Sequence, residues 1–294
     1  VHYSDVFENV EGTFDTINFA APYHGNKPNE ILEYGVSDPE YSALKIFLHD
    51  ARKHLNKHGQ LVLGFSSTGD ADLLNELIIE NKWLIKDFKE ESNYDWKAYL
   101  YVLEAIEFKN KTQEFIYEDE YSWFKKYVGE VRDGKILKVG YGLGYLSYFI
   151  KLYNPNITSI DIQVDAEAIN PDGVKIYDGD NIPFSDREFE VVICTYTLHH
   201  TPNPSKLFSE IVRVSSSGIV IIEETWRTFF QRLQEIWNCW LVNLKAGQKV
   251  KIFWKSYFSA QSVRKLFIDY NIKIEKQFNA PRRSFLVEIF ILKK

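Results

Sequence analysis

The chain has 294 residues, 45% of them hydrophobic and 16% aromatic, enough for one large or two ordinary domains with substantial cores. No run approaches the ~20 apolar residues that cross a bilayer. The opening residues do not read as a signal peptide, and two cysteines, Cys194 and Cys239, cannot build a disulfide framework, so a cytoplasmic, reducing setting is expected. Net charge is −6 but uneven, with −10 over residues 1–107 and +4 over 108–294. The basic residues Lys245, Lys249, Lys251, Lys255, Arg282 and Arg283 read as solvated surface, so neither nucleic acid nor membrane is an expected partner. Methionine is absent and the chain opens on Val1. Composition and trimming account for this; a sharper reading is that methionine positions are missing, which would shorten some of the spacings below by one.

In chain order, Thr13 to Phe19 reads as a strand bounded by Gly12 and Pro22. Tyr41 to Leu55 repeats apolar residues at helical spacing through Leu44, Phe47, Leu48, Ala51 and Leu55, and Gly59 is expected to close that helix. Gln60 to Phe65 is a buried strand, and Asp70 to Glu80 a helix capped by Asp70 or Asp72. Trp83 to Glu90 and Ala98 to Glu107 form a final hairpin. Gln113 to Val128, rich in Tyr and Phe, opens the next domain as a helix.

Lys135 to Gly144 then runs apolar-leaning residues into Gly140, Gly142 and Gly144, followed at once by a helical pattern from Tyr145 to Leu152. Glycine suits a turn whose backbone must approach a ligand without a Cβ in the way. Ile157 to Asp161 is a second strand tipped by a carboxylate, which a nucleotide ribose needs for its hydroxyls. A dinucleotide-binding turn wants glycine at 145, where this chain has tyrosine; this disfavours an NAD-dependent oxidoreductase. Val174 to Tyr177, Phe189 to Thr195 and Ser217 to Glu224 read as further strands, with helices at Pro204–Val214 and Ala260–Asp269. Ile272 to Phe278 and Ser284 to Lys293 form a closing antiparallel hairpin. Cys194, on a buried strand, reads as an inert core residue.

These blocks together resemble class I S-adenosylmethionine-dependent methyltransferases of the small-molecule branch. The three-glycine turn, acid-tipped Asp161, the stretch Asn181-Ile182-Pro183-Phe184-Ser185-Asp186 and the strand ending Leu198-His199-His200 carry the likeness. It implies a Rossmann-like α/β fold with a seven-stranded mixed sheet and a C-terminal antiparallel hairpin over 108–294. It also implies a transferase that binds S-adenosyl-L-methionine and methylates a small-molecule substrate. In that family's terms Gly140, Gly142 and Gly144 meet the amino-acid part of the cofactor, and Asp161 accepts from both ribose hydroxyls. Asp178, with Asp180 as competitor, receives the adenine amine, and Thr195 to Leu198 face the sulfonium. Lys138 departs from the family's acid and reverses its sign; it could swing toward Glu223 or solvent, and exchange for Asp is expected to tighten binding. His199 and His200 are candidates for a general base, against the plainer reading that they end a strand and bond backbone. The aromatic stretch 226–257, with Phe229, Phe230, Trp237, Trp240, Leu244, Phe253, Trp254 and Tyr257, is expected to act as a lid; a plain amphipathic helix or a dimer interface would have the same spacing.

Residues 1–107 resemble the C-terminal half of a second such domain. Phe14 to Tyr23 is similar to the "FD.I..NPPY" block of enzymes that methylate nitrogen, but Ala20 and Ala21 replace the Asn and Pro, and a methyl group accepts no hydrogen bond. The glycine turn and ribose acid have no counterpart here. The incomplete α/β domain is therefore expected to be non-catalytic, whether truncated or degenerate. Its unpaired edge must be covered by the second domain, a homodimer partner or a missing N-terminal segment. The alternative to an enzyme is a non-enzymatic scaffold or regulatory protein built from decayed domains.

Overall fold

The computed structural model describes residues 4–92, 95–128, 133–281 and 286–293. They form two compact units, residues 1–107 and 108–294.

Unit 1 contains β1 (Phe14–Ala20), α1 (Ser42–Asp50), β2 (Leu55–Ser66), α2 (Ala71–Glu80), β3 (Trp83–Ser92) and β4 (Lys97–Ala105). The strands lie in the order β1-β2-β4-β3, with β1 and β2 parallel and the other pairs antiparallel. Leu44, Phe47 and Leu48 of α1 and Leu74 and Ile78 of α2 are buried, as are Leu61, Leu63, Trp83 and Leu103 of the sheet. Each such side chain contributes about 1.5–3 kcal/mol by leaving water. The indole N–H of Trp83 donates to the Leu48 carbonyl at 2.8 Å, so the largest core side chain leaves no polar group unpaired. The α1 helix ends at Asp50 rather than Leu55, passing through a 3-10 turn over Ala51–His54. Gly59 is not its cap. It lies inside β2 where the pairing with β1 shifts register, and an added Cβ would stand 3.0 Å from the carbonyl oxygens of Asn56 and Phe14.

Unit 2 opens with α3 (Lys111–Trp123), capped by the Asn110 side chain, which accepts from Thr112 and Gln113 N–H; a single π-turn over Phe124–Val128 completes the expected helix. Then follow β5 (Ile136–Val139), α4 (Tyr145–Tyr153), β6 (Ile157–Asp161), β7 (Lys175–Ile176), β8 (Phe189–Thr195), α5 (Pro204–Val214), β9 (Ser215–Thr225), α6 (Phe229–Ala246), α7 (Ala260–Asp269), β10 (Lys273–Pro281) and β11 (Leu286–Lys293). The expected strand start at Ser284, and Arg282 and Arg283, lie outside the described residues.

Among the described residues these strands make a seven-stranded sheet ordered β10-β11-β9-β8-β5-β6-β7, parallel from β9 to β7 and antiparallel through the β10–β11 hairpin. Side chains alternate between faces along each strand. Leu137, Val139, Val192 and Cys194 join Leu207, Phe208 and Ile211 of α5 and Val263 and Phe267 of α7 in one core. Alternation places Ile136, Lys138 and Ile193 on the opposite face. The strand order reverses direction at β5, whose neighbours β6 and β8 both follow it in sequence, and open α/β sheets bind ligands at the carboxyl ends of the strands beside such a point. The four strands of unit 1 repeat the order and senses of β8, β9, β11 and β10.

Candidate active site

A cavity of about 640 Å³ opens at the carboxyl ends of β5, β6 and β8. Its floor is the turn from Gly140 to Gly144. The three glycines have φ of +77°, +58° and +85°, the left-handed region that costs other residues about 1–2 kcal/mol. Gly140 also lies against Thr197, where a Cβ would stand 2.1 Å from the hydroxyl, whereas a Cβ on Gly142 would find its nearest neighbour, Gln248 Nε2, only at 3.6 Å. These two positions therefore separate fold from ligand space. Gly140→Ala is expected to cost about 3 kcal/mol in denaturant unfolding. Gly142→Ala should cost only the backbone's about 1–2 kcal/mol in unfolding and, in addition, weaken ligand binding, because its Cβ would enter open cavity space.

Asp161 lines the cavity and ties it together. Its Oδ2 accepts the Tyr141 N–H at 2.5 Å and the Gly142 N–H at 3.3 Å, and its Oδ1 accepts the Ile162 N–H at 2.6 Å. The Gln163 N–H also reaches Oδ1 at 3.4 Å, so a hydroxyl donor would displace the longer of these four contacts, those of Gly142 and Gln163. Asp178 and Asp180 also line the cavity. Asp178 Oδ1 accepts the Asp180 and Asn181 N–H groups at 2.8 and 2.7 Å, and Oδ2 the Asn181 amide. Those bonds, the Asn181 N–H first, hold its pKa down to about 2. Asp180 instead points to Lys206, 3.9 Å away. Thr195 is buried at the strand tip, and the next residue, Tyr196, adopts φ +49°. A bulky residue in that conformation at a cavity wall is backbone strain held by its surroundings, here by its N–H bond to the Ile222 carbonyl.

Lys138 does not swing toward Glu223 or solvent. It is buried, and its Nζ donates to the carbonyls of Gly140 at 2.5 Å and Val139 at 3.3 Å, supporting the glycine turn from beneath. Burial lowers its pKa, and the nearby charge of Glu120 on α3 acts against this. Glu120, also on the cavity wall, accepts the Leu146 N–H at 2.8 Å in the first turn of α4, where the helix dipole favours an anion. Burial raises the Glu120 pKa, and the charge of Lys138 and the Leu146 N–H act against this. An Asp at 138 would leave two carbonyls without their donor and stand beside a second carboxylate, so that exchange is expected to loosen the glycine turn rather than tighten binding.

Glu223, fully buried at the end of β9, organises the far wall. Its Oε1 accepts the N–H groups of Thr197 and Leu198 at 3.0 and 2.7 Å, and its Oε2 meets His199 Nδ1 at 2.5 Å. Burial alone would lower the His199 pKa, but the charge and hydrogen bonds of Glu223 and Cys239 hold it well above its ordinary value. Burial, then neighbouring His199, pushes His200 down to about 3, and its Nδ1 meets the Lys251 carbonyl at 3.2 Å. Both rings are thus held at Nδ1, with Nε2 of each facing Cys239. Cys194 is buried and its thiol is pushed up to about 12 by burial, then Glu223, in keeping with an inert core residue.

The helix α6 covers this end of the cavity, with the face opposite to the one its aromatic residues suggest. Asn238, Cys239, Val242 and Asn243 line the cavity, together with Gln248 to Lys251 and Phe253 of the following loop. Phe229, Phe230, Trp237, Trp240 and Leu244 are exposed, so they do not wall the pocket. Tyr257 is buried with its ring 4.9 Å from that of His199. The inward face of α6 buries Glu235 and Cys239. Sequence reasoning missed Glu120 and Cys239 as cavity residues and named Glu223 only as a resting place for Lys138. A pair of acids closing the apolar strand Ile219–Ile222 was the one local signal for Glu223.

Residues 114–277, more than half of the chain, match the model of a family described as a methyltransferase domain. An uncharacterized protein of Methanocaldococcus jannaschii is 31% identical over 112 residues, 37% of this chain, and the match spans about half (51%) of that curated relative. Among solved structures, a Pyrococcus horikoshii protein is similar with a TM-score of 0.47 and 17% identity, over 60% of this chain and 90% of that one. Magnesium protoporphyrin IX methyltransferase from Synechocystis, solved with S-adenosylhomocysteine bound, is similar with a TM-score of 0.45 and 16% identity, over 65% and 89%.

Proposed function

Because the chain belongs to the methyltransferase domain family, we propose that unit 2 binds S-adenosylmethionine and transfers its methyl group to a small-molecule acceptor held beneath α6. One observation carries the reading: a single cavity joins the bare glycine turn and Asp161 at one end to the Thr195–His200 wall and the inner face of α6 at the other. The cofactor's ribose hydroxyls would donate to Asp161, and its adenine amine would lie near Asp178. Its ammonium would find Glu120, which answers the charge that Lys138 brings to this end. The backbone from Thr195 to Leu198 would face the sulfonium. S-adenosylmethionine supplies an activated methyl on a cationic sulfur. The residues of this chain hold the acceptor in line with it and keep water out, which accounts for most of the acceleration such a transfer needs.

Unit 1 is assigned no catalytic role. Among the described residues it repeats four strands of the larger sheet without a glycine turn, and Ala20 stands where the nitrogen-methylating block has its asparagine acceptor. Calorimetric titration with S-adenosylhomocysteine tests the assignment of unit 2. Saturable one-to-one binding in the micromolar range is expected; no heat and no thermal shift at millimolar ligand would remove the enzyme reading and leave the scaffold.

A further inference from the structure

On the acceptor side of the cavity, His199, His200 and Cys239 bring three donor atoms to one place, all within 4.8 Å of one another. The Cys239 sulfur lies 3.7 Å from His199 Nε2 and 3.6 Å from His200 Nε2. A zinc ion with bonds of about 2.3 Å to sulfur and 2.0–2.1 Å to nitrogen, in tetrahedral geometry, spaces sulfur and nitrogen ligands by about 3.6 Å. Both sulfur–nitrogen distances have that spacing.

The surroundings prepare the same three atoms. His199 Nδ1 is held by the Glu223 carboxylate and His200 Nδ1 by the Lys251 carbonyl, so each ring commits its Nδ1 proton to a fixed acceptor and presents Nε2 to the sulfur. A carboxylate or carbonyl behind each histidine is the usual support of a metal-ligating imidazole. The Asn243 amide donates to Cys239 Sγ at 3.3 Å, a bond that suits a thiolate. The charges also close: a thiolate and the Glu223 carboxylate together neutralise a divalent cation in a buried place. A thiol has one proton and cannot satisfy two imidazole lone pairs at once.

We propose that His199 Nε2, His200 Nε2 and Cys239 Sγ bind one zinc ion whose fourth position opens into the cavity and takes the sulfur of a thiol acceptor. The role of the fourth position rests on the methyltransferase reading; the metal site does not. Three protein ligands and an open position are the pattern of a catalytic rather than a structural zinc. A coordinating thiol loses its proton outright, here to solvent. The thiolate lone pair then forms the new sulfur–carbon bond as the bond from methyl to the cofactor's sulfonium breaks. The released electron pair stays on that sulfur, giving S-adenosylhomocysteine and a methyl thioether. No oxidant or reductant enters.

The test is cobalt substitution in the full chain after chelator treatment. One cobalt per chain is expected, with a thiolate-to-cobalt charge-transfer band that one equivalent of zinc removes and that 2-mercaptoethanol intensifies. Cys239→Ser should abolish the band and Cys194→Ala should keep it, while His200→Ala weakens cobalt binding at least tenfold. Absence of the band in the unsubstituted chain, or a band that follows Cys194, overturns the metal site. A band indifferent to 2-mercaptoethanol overturns the thiol acceptor. The thermal shift with S-adenosylhomocysteine, run on the same samples, reports separately. Cysteine variants that keep it are folded, and its loss in a cobalt-binding protein would sink the methyltransferase reading and leave the metal.

Discussion

Replacing Asp161 with alanine should weaken S-adenosylhomocysteine binding at least a hundredfold. A hydrogen bond to a charged acceptor contributes about 1.5–3 kcal/mol, and two ribose hydroxyls would lose one each, about 3–6 kcal/mol together. The same carboxylate accepts the N–H groups of Tyr141 and Gly142, so its removal also loosens the turn that receives the ligand. Both effects act in the same direction, and Asp161→Asn separates them. The amide oxygen can still accept from the turn but carries no charge toward the ribose, so its affinity should fall between those of the other two proteins. Titration calorimetry with thermal melting as a folding control measures this, and affinity unchanged in Asp161→Ala would contradict the assignment.

Exchange of Glu235 for glutamine should stabilise the protein at alkaline pH by about 5 kcal/mol. Glu235 is fully buried on the inward face of α6, and neither carboxyl oxygen has a hydrogen-bond partner among the described residues. Burial, then the charge of Glu224, raises its pKa from 4.5 to about 8. Between those values the folded state binds a proton that the unfolded chain has released, so stability falls as pH rises through this interval. Glu224, raised to about 7 chiefly by burial, contributes with the same sign. Glutamine has the shape of the protonated acid and never ionises. Its variant should therefore match the parent near pH 4.5, diverge upward as pH rises, and show a flatter profile in urea unfolding between pH 5 and 8. A parent protein whose stability rises across that range would show that Glu235 is not held protonated in the fold.

Which parts of the site were legible follows from how each residue acts. Gly140, Gly142 and Gly144 act through their own backbone, and Asp161 through its place at a strand tip, so pattern and spacing were enough to single them out. The surroundings of Lys138 on β5 are not legible locally, because Glu120 lies eighteen positions away on helix α3. The aromatic stretch 226–257 reads as a lid, with an amphipathic helix or a dimer interface sharing its spacing, and the spacing does not say which face turns inward: α6 buries Glu235 and Cys239 and exposes Phe230 and Trp237, while Phe253 lines the cavity. His199 and His200 were visible as a pair, but their chemistry is set by Glu223, Lys251 and Cys239, at separations of 24, 51 and 40 residues.

The order of strands and helices, the ligand-facing turn and the acid beside it were determined by the sequence alone, since periodicity, glycine and strand-end position are local properties that survive any packing. Protonation states, the partner of the buried lysine and the convergence of two imidazoles on one sulfur were decided only by tertiary structure. Those are properties of distance and dielectric between residues far apart in the chain, and folding is what sets both.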